Sequence, residues 1–338
     1  MGTMGFIGDI NSVFVRVRPC KSVFVRVPGR KRPNSVELTD RVLDFNIIKE
    51  VTMTERLLIG AHLSTSKGLP AMLQTAVEIG ASCVQMFTSS PQQWRARQYT
   101  PEEAAAFKTA QEATGVAPVV AHESYLINLA SSDPALLQKS RDAFREEIAR
   151  CGMLGLPAVV IHWGSFKGTT LEEGLQTLAD SLNAVIPFAD ELGVQILLET
   201  TAGQGSYLGG DFTQYPRLFT MIPSHERLGA CLDTCHVFAA GYDLRDKAQY
   251  ERLWEEFDRH VGLHRLKAIH VNDTDRALAS HADRHANIGQ GQLGPEAFRL
   301  LLHDQRLANI PKILETPGGI EEHAANLRTL RELAEGAV

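Results

Sequence analysis

From Arg56 to the end of the chain, short apolar runs alternate with segments in which apolar residues recur every three to four positions. The runs are LLIGAH (57–62), SCVQMF (82–87), VAPVVAH (116–122), PAVVIH (157–162), VQILLE (194–199), LGACLD (228–233), LKAIHVND (266–273) and PKILE (311–315). The periodic segments predict helices near 68–79, 101–114, 134–153, 171–192, 212–221, 246–261, 295–303 and 320–335. Strands covered on both faces read as unbroken apolar runs. Eight such runs, each followed by a helix, predict an α/β fold: a closed (β/α)8 TIM barrel with its active site at the C-terminal strand ends. No glycine-rich phosphate fingerprint follows the first strand, which argues against a dinucleotide-binding sheet.

Before residue 54 the pattern breaks. SVFVRV at 12–17 returns at 22–27, and the basic cluster Gly29-Arg30-Lys31-Arg32-Pro33 follows. Two six-residue repeats suit a short strand pair but cannot build a core alone. Residues 1–53 are therefore expected to be a basic N-terminal extension, disordered or read from too early a start codon, with the barrel over 54–338. The rival reading is a basic arm that touches DNA phosphates.

Composition narrows the class. The 338 residues suffice for one barrel, and no run reaches the roughly 18 apolar residues of a membrane span. No charged segment followed by an apolar stretch opens the chain, so no secretory signal is expected. Five cysteines without even spacing argue against a disulfide scaffold and for a reducing compartment, taken to be the cytoplasm. Formal net charge is −6, yet residues 1–53 carry nine Lys/Arg against five Asp/Glu, which leaves −10 on the remainder. An acidic body needs a local positive site to hold an anionic substrate, and bound metal is one way to supply it.

The strand ends carry the candidate chemistry. His62, His122, His162, Glu199, Asp233, His270 and Glu315 lie at the ends of the apolar runs, with His236 three residues past Asp233 and Asp283-Arg284-His285 in the loop after the seventh strand. Six of the twelve histidines fall in these places. Any one of them fits a hydrogen-bonded core residue, but gathering so many ionisable groups at one end is costly unless they pair or coordinate metal. Mixed imidazole and carboxylate suit Zn, Mn or Fe better than Mg. The set is too large for one ion, and shared carboxylates allow two or three. Asp233-x-x-His236 reads as a turn that aims two ligands at different ions, and Asp283-x-His285 as an extended pair on one side. Cys231 is expected inside the barrel and Cys235 in support of the metal shell, and His62 lines the site whether or not it binds metal. His225, His260, His264, His281, His303 and His323 are read as surface residues.

The segments around these residues closely resemble the endonuclease IV family of zinc-dependent apurinic/apyrimidinic endonucleases. The matching motifs are GAHLSTSKGL (60–69), HESYLINLA (122–130), ETTAGQGSYLG (199–209), CLDTCHVFAAGYDLR (231–245), HVND (270–273), DRHANIGQGQLG (283–294) and ILET (313–316). They run in order from about Leu57 to the end and leave the first fifty residues uncovered. The resemblance implies three Zn2+ per chain, with Mn2+ admitted in part. His122, His162 and Glu199 would hold one ion. Glu199 would bridge to a second, held also by Asp233, His270 and Glu315, and His236, Asp283 and His285 would hold the third. It further implies hydrolysis of the phosphodiester 5′ to an abasic site in double-stranded DNA, by a nucleophile generated from metal-bound water, leaving a 3′-hydroxyl and a 5′-deoxyribose phosphate. Glu199 and Glu315 would be the catalytic carboxylates, with Glu315 orienting or deprotonating the water.

By motif position, Tyr125 and Leu126 would enter the gap left by the missing base, with the Gln92-Gln93-Trp94-Arg95 loop beside them and Arg284 at the DNA. Trp94 is read as a loop anchor. A monomer associated with the nucleoid, and no membrane partner, is expected. Relatives often carry arginine at the position of Gln92, lysine at that of Asp275, where Arg276 is a substitute, and proline at that of Trp163. These departures bear on DNA affinity and lesion choice and leave the ligand set whole. The rival classes are a metal-dependent sugar isomerase or epimerase on the same barrel and a non-catalytic binder of damaged DNA.

Overall fold

Strand and helix alternate as the hydrophobic pattern requires in the computed structural model, which describes residues 57–336. The expectations for residues 1–53 lie outside the described residues. The strands are β1 (Ile59–His62), β2 (Cys83–Phe87), β3 (Val119–His122), β4 (Ala158–Ile161), β5 (Gln195–Glu199), β6 (Leu228–Asp233), β7 (Leu266–His270), β8 (Asp273–Thr274), β9 (His285–Ala286) and β10 (Lys312–Leu314). Eight of them close a parallel barrel in the order β1-β10-β7-β6-β5-β4-β3-β2, while β8 and β9 form a separate antiparallel pair. The helices are α1 (Leu69–Glu78), α2 (Pro101–Thr114), α3 (Pro134–Leu154), α4 (Leu171–Glu191), α5 (Gln214–Thr220), α6 (Thr234–Ala240), α7 (Lys247–His260), α8 (Gly294–His303) and α9 (Ile320–Glu335). Capping boxes start α2 (Thr100 with Glu103) and α4 (Thr170 with Glu173), and Asp133 and Asp246 cap α3 and α7. Among the described residues no helix is long and apolar enough to cross a membrane.

Alternate residues of a strand face opposite sides of the sheet, and here that rule places the site. Ile196 and Leu198 of β5 join the core between barrel and helices, whereas Leu197 packs inside with Cys83, Val120, Val160, Cys231, Ala268 and Ile313. Cys231 thus lies inside the barrel, as the sequence suggested. Two residues onward from these interior positions stand Gln85, His122, His162, Glu199, Asp233, His270 and Glu315, the next inward positions and the rim of the mouth. β1 follows suit with Gly60 and His62. A Cβ at Gly60 would sit 1.8 Å from the Cys83 carbonyl oxygen, so only glycine lets the two strands close there.

Three expectations need correction. Asp233-x-x-His236 is the start of α6 and not a turn: Asp233 is the N-cap, its Oδ1 accepting from the His236 N–H at 2.9 Å. β7 stops at His270 instead of Asp273, and Asp273 instead begins β8. His323 is buried beneath α9, 3.4 Å from the Thr316 hydroxyl, because its helix face packs on the barrel.

Candidate metal centre

Several of the ligand-type residues are held by identifiable local devices. The α6 cap uses Asp233 Oδ1, and Asn272 Nδ2 donates to Oδ2 at 2.7 Å, so the carboxylate cannot rotate. Asn272 Oδ1 also accepts from the Glu315 N–H at 2.8 Å, tying β10 to β7 just past its end. The β8–β9 pair carries His285, and Asp273 pins that hairpin by accepting from the Thr274, Gly291 and Leu293 N–H groups. Glu123 Oε1 accepts from the His162 N–H at 2.8 Å and fixes the residue beyond β4.

The structure gathers all nine expected ligands into three groups, the first two sharing Glu199. Within each group one ligand atom per residue lies within 4.8 Å of the others: His122, His162 and Glu199; Glu199, Asp233, His270 and Glu315; and His236, Asp283 and His285. Glu199 belongs to the first two, with Oε2 at 3.1 Å from His122 Nε2 and 3.3 Å from His162 Nε2, and Oε1 at 2.9 Å from His270 Nδ1. Glu315 Oε2 is 3.2 Å from the same His270 nitrogen. In the third group Asp283 lies 3.2 Å from His236 Nε2 and 3.3 Å from His285 Nε2. A fourth grouping, Asp233, Cys235 and His285, adds a thiol. Burial pushes the Cys235 thiol up to about 12, and its sulfur donates to the Arg284 carbonyl at 3.6 Å, so it supports the loop as a neutral group.

The tautomers follow from backbone partners. A carbonyl oxygen only accepts, so His122 Nδ1 donates to Glu123 O at 2.8 Å, His236 Nδ1 to Thr200 O at 2.8 Å and His285 Nδ1 to Glu315 O at 3.0 Å. In all three rings the bare Nε2 then faces carboxylate oxygens, lone pair against lone pair. His285 Nε2 is buried with no hydrogen-bond partner among the described residues. Such an arrangement asks for a proton or a metal cation between the groups, and a histidine whose other nitrogen donates to a carbonyl is the ordinary form of a metal ligand. The donor set therefore fits zinc chemically. Proton affinities show the same pull. Burial disfavours the cationic ring, yet Asp233 raises His236 well above its usual range, and Cys231 with Glu315 does so for His270. Burial likewise opposes charge on Glu199, but His270 and His162 hold it well below the carboxylate range. At His162 and His62 burial prevails and the rings are held down.

Beside the groups opens a cavity of about 500 Å³ whose walls include Tyr125, Leu126, His162, Tyr207, His236 and Asp283. Tyr125 and Leu126 thus stand at the centre. Gln92 and Arg284 are exposed and do not line it. Trp94 is half-buried under Lys139, whose Nζ sits 4.2 Å above the ring, in keeping with a loop anchor. Arg276 pairs with Asp275 at 3.0 Å, so part of its charge is already engaged. His62 falls in none of the groups, and its Nδ1 lies 3.1 Å from Gln85 Nε2. Reading the sequence for ionisable strand ends missed Gln85, Glu123, Thr200, Asn272 and Tyr207. The inward periodicity alone would have found Gln85.

Residues 73–333 match the family model described as a xylose isomerase-like TIM barrel. The probable endonuclease 4 of Chloroflexus aurantiacus is 48% identical over 280 residues, covering 82% of this chain and 98% of that protein. The chain belongs to the endonuclease IV family. The probable endonuclease 4 of Geobacter sulfurreducens is 43% identical over 277 residues, 81% of this chain and 94% of that one. The crystal structure of endonuclease IV from Thermus thermophilus superposes with a TM-score of 0.71 at 35% identity, covering 82% of this chain and 99% of that one. A D-tagatose 3-epimerase-like protein, at a TM-score of 0.61 and 18% identity, shares the fold alone.

Proposed function

We propose that this endonuclease IV family member is a zinc-dependent deoxyribonuclease of DNA base excision repair, type EC 3.1.21.2. It hydrolyses the phosphodiester 5′ to an abasic site in double-stranded DNA and leaves a 3′-hydroxyl and a 5′-deoxyribose phosphate. The observation that carries this reading is the set of three ligand groups, two of them sharing Glu199, beside a cavity whose wall includes His162, His236 and Asp283. His122, His162 and Glu199 would hold the first ion, Glu199, Asp233, His270 and Glu315 the second, and His236, Asp283 and His285 the third. When bound, zinc supplies nucleophilic water near pH about 7 and positive charge for the attacked phosphate and the leaving oxygen.

The chain's own groups do the rest. Four carboxylates would meet six positive charges, so the mouth of an acidic protein becomes a local anion site of about +2. Glu199 spans two groups with its two oxygens and sets their spacing. Glu315 Oε2 faces the second group, 3.2 Å from His270 Nδ1, placed to orient the attacking water and take its proton. Tyr125, with its exposed ring, and Leu126 fill the stack where a base is missing, and extruding an abasic nucleotide costs less than flipping an intact one. The reading predicts nicking of a defined abasic duplex by the purified protein, with three zinc ions per chain by elemental analysis of the same sample. One or two ions with turnover of a small polyol would favour the isomerase. Tight duplex binding without nicking in zinc would favour the non-catalytic binder.

A further inference from the structure

Gln85 is a fully buried amide at the rim position of β2, and every hydrogen-bonding atom of its head meets a residue of the mouth. Its Nε2 lies 2.6 Å from Glu315 Oε1 and 3.1 Å from His62 Nδ1, and its Oε1 lies 2.8 Å from His270 Nε2. The orientation of the amide is set by Glu315, because a carboxylate oxygen at that distance accepts and cannot face another oxygen. The amide oxygen is left for His270, so the His270 proton sits on Nε2. The bare atom is then Nδ1, the one that points at Glu199, Glu315 and Asp233 at 2.9, 3.2 and 3.8 Å. His122, His236 and His285 are fixed the opposite way, by backbone carbonyls at Nδ1.

We infer that Gln85 is the positioning residue of the second ligand group: one side chain selects the ligating tautomer of His270 and holds Glu315 with its second oxygen turned to the cluster. Among the described residues no backbone group performs this service for His270, and Gln85 does it in its place. Engaging His62 Nδ1 with the same amide explains why that ring borders the site without joining a ligand group. The inference rests on the metal-holding reading above and extends it to a residue that touches neither metal nor DNA.

The test uses the full chain loaded with Zn2+. Long-range 1H–15N spectra of histidine-labelled protein should show His270 protonated at Nε2 and His122, His236 and His285 at Nδ1. Gln85→Met should lower zinc affinity, read by chelator competition, about 10–100-fold, the usual effect of losing such a partner. On an abasic duplex kcat should fall while KM stays within about twofold, because the residues facing DNA are untouched. Gln85→Glu is the second variant: it still accepts from His270 but sets a carboxylate against Glu315 Oε1, so the His270 tautomer persists while kcat falls. A wild-type His270 proton on Nδ1, or unchanged zinc affinity and kcat in both variants, overturns the inference. Protein that binds no zinc sinks this inference together with the proposed function. Zinc binding weakened by Gln85→Met in a protein that never nicks abasic DNA would sustain the role of Gln85 and sink only the activity.

Discussion

Two clusters of buried charge in this barrel are built on opposite plans. Behind the loop after β2, Glu147 and Arg150 pair at 2.6 Å, Thr88 donates to Glu147 and accepts from Arg150 Nε at 2.7 Å, and Tyr99 donates to the Thr88 carbonyl at 2.9 Å. Each acceptor meets a donor and the two formal charges cancel, with Arg150 Nη1 alone left without a hydrogen bond among the described residues, 3.8 Å from Glu146 Oε2. At the mouth, four carboxylates face histidine nitrogens whose protons have been drawn away to carbonyls and to Gln85. Burying ions is costly in either case. The first cluster offsets that cost internally and fixes a loop, whereas the second is left short of positive charge. A buried polar cluster that is incomplete by its own bonding is the one to read as a binding site.

The sharpest way to break this contrast is Glu199→Gln. One change removes charge from two of the three ligand groups, so incision of an abasic duplex should fall at least about 10³-fold, about 4 kcal/mol of barrier. Bound zinc should fall with it. Full zinc occupancy with incision within about tenfold of wild type would show that the bridge is dispensable. Arg150→Met should give the reverse signature. It leaves the buried Glu147 carboxylate without its counter-charge, a loss of about 3–5 kcal/mol in denaturant unfolding, while zinc content stays at the wild-type value. Lost zinc with unchanged stability would merge the two clusters into one.

The contrast was only half visible in the sequence. Eight apolar runs gave the barrel because strands buried on both faces leave a signal that needs no partner to be read. His122, His162, Glu199, His270 and Glu315 stood out because an ionisable residue ending such a run is conspicuous. Gln85 occupies the equivalent place in β2 and passed unnoticed, since an amide amid apolar residues signals nothing until its neighbours are known. α6 was missed because seven residues are too few to show a helical period, and its cap, Asp233, doubles as the last residue of a strand. The Thr88–Glu147–Arg150 network was illegible altogether: its members are some sixty positions apart on β2's end and α3, and only the packing of the two elements joins them. Tyr207 lay hidden in a glycine-rich loop whose shape depends on the loop after β4.

Removing the metal should change how the mouth responds to pH. His236 and His270 have folded pKa values raised above the usual 6.5, so in metal-free protein their stabilisation is complete below that value and is lost as pH rises through the raised ones. Glu199 and Glu315 are depressed below 4.5, so theirs is present above that value and is lost as pH falls through the depressed ones. Chelator-treated protein should therefore lose melting temperature as pH rises above about 6.5. Zinc requires unprotonated rings, so the increment in melting temperature on adding Zn2+ should grow over the same rise. Parallel curves with and without zinc would mean that the histidines are not where the ion binds.

The smallest expected effects lie on the aromatic rings that line the cavity beside the metal groups. Tyr125 and Tyr207 are 63% and 52% exposed, unusual for large aromatic side chains, and both line the cavity. The Tyr207 loop is stitched to the loop after β4 by Phe166 N–H to Ser206 O and Leu208 N–H to Gly164 O, each 3.0 Å, which holds its backbone in place. A ring presented in this way suits stacking on an unpaired or displaced nucleotide. Tyr207→Ala should raise KM for an abasic duplex about fivefold, near the lower end of what a stacking aromatic contributes, with zinc content and kcat close to wild type. Tyr125→Ala should behave likewise but more strongly, because its ring lies 6.1 Å from that of His122 and shares the face where the damaged strand would lie. A fall in kcat accompanied by zinc loss would instead place Tyr125 with the groups that support His122, and the two tyrosines would then no longer be a pair.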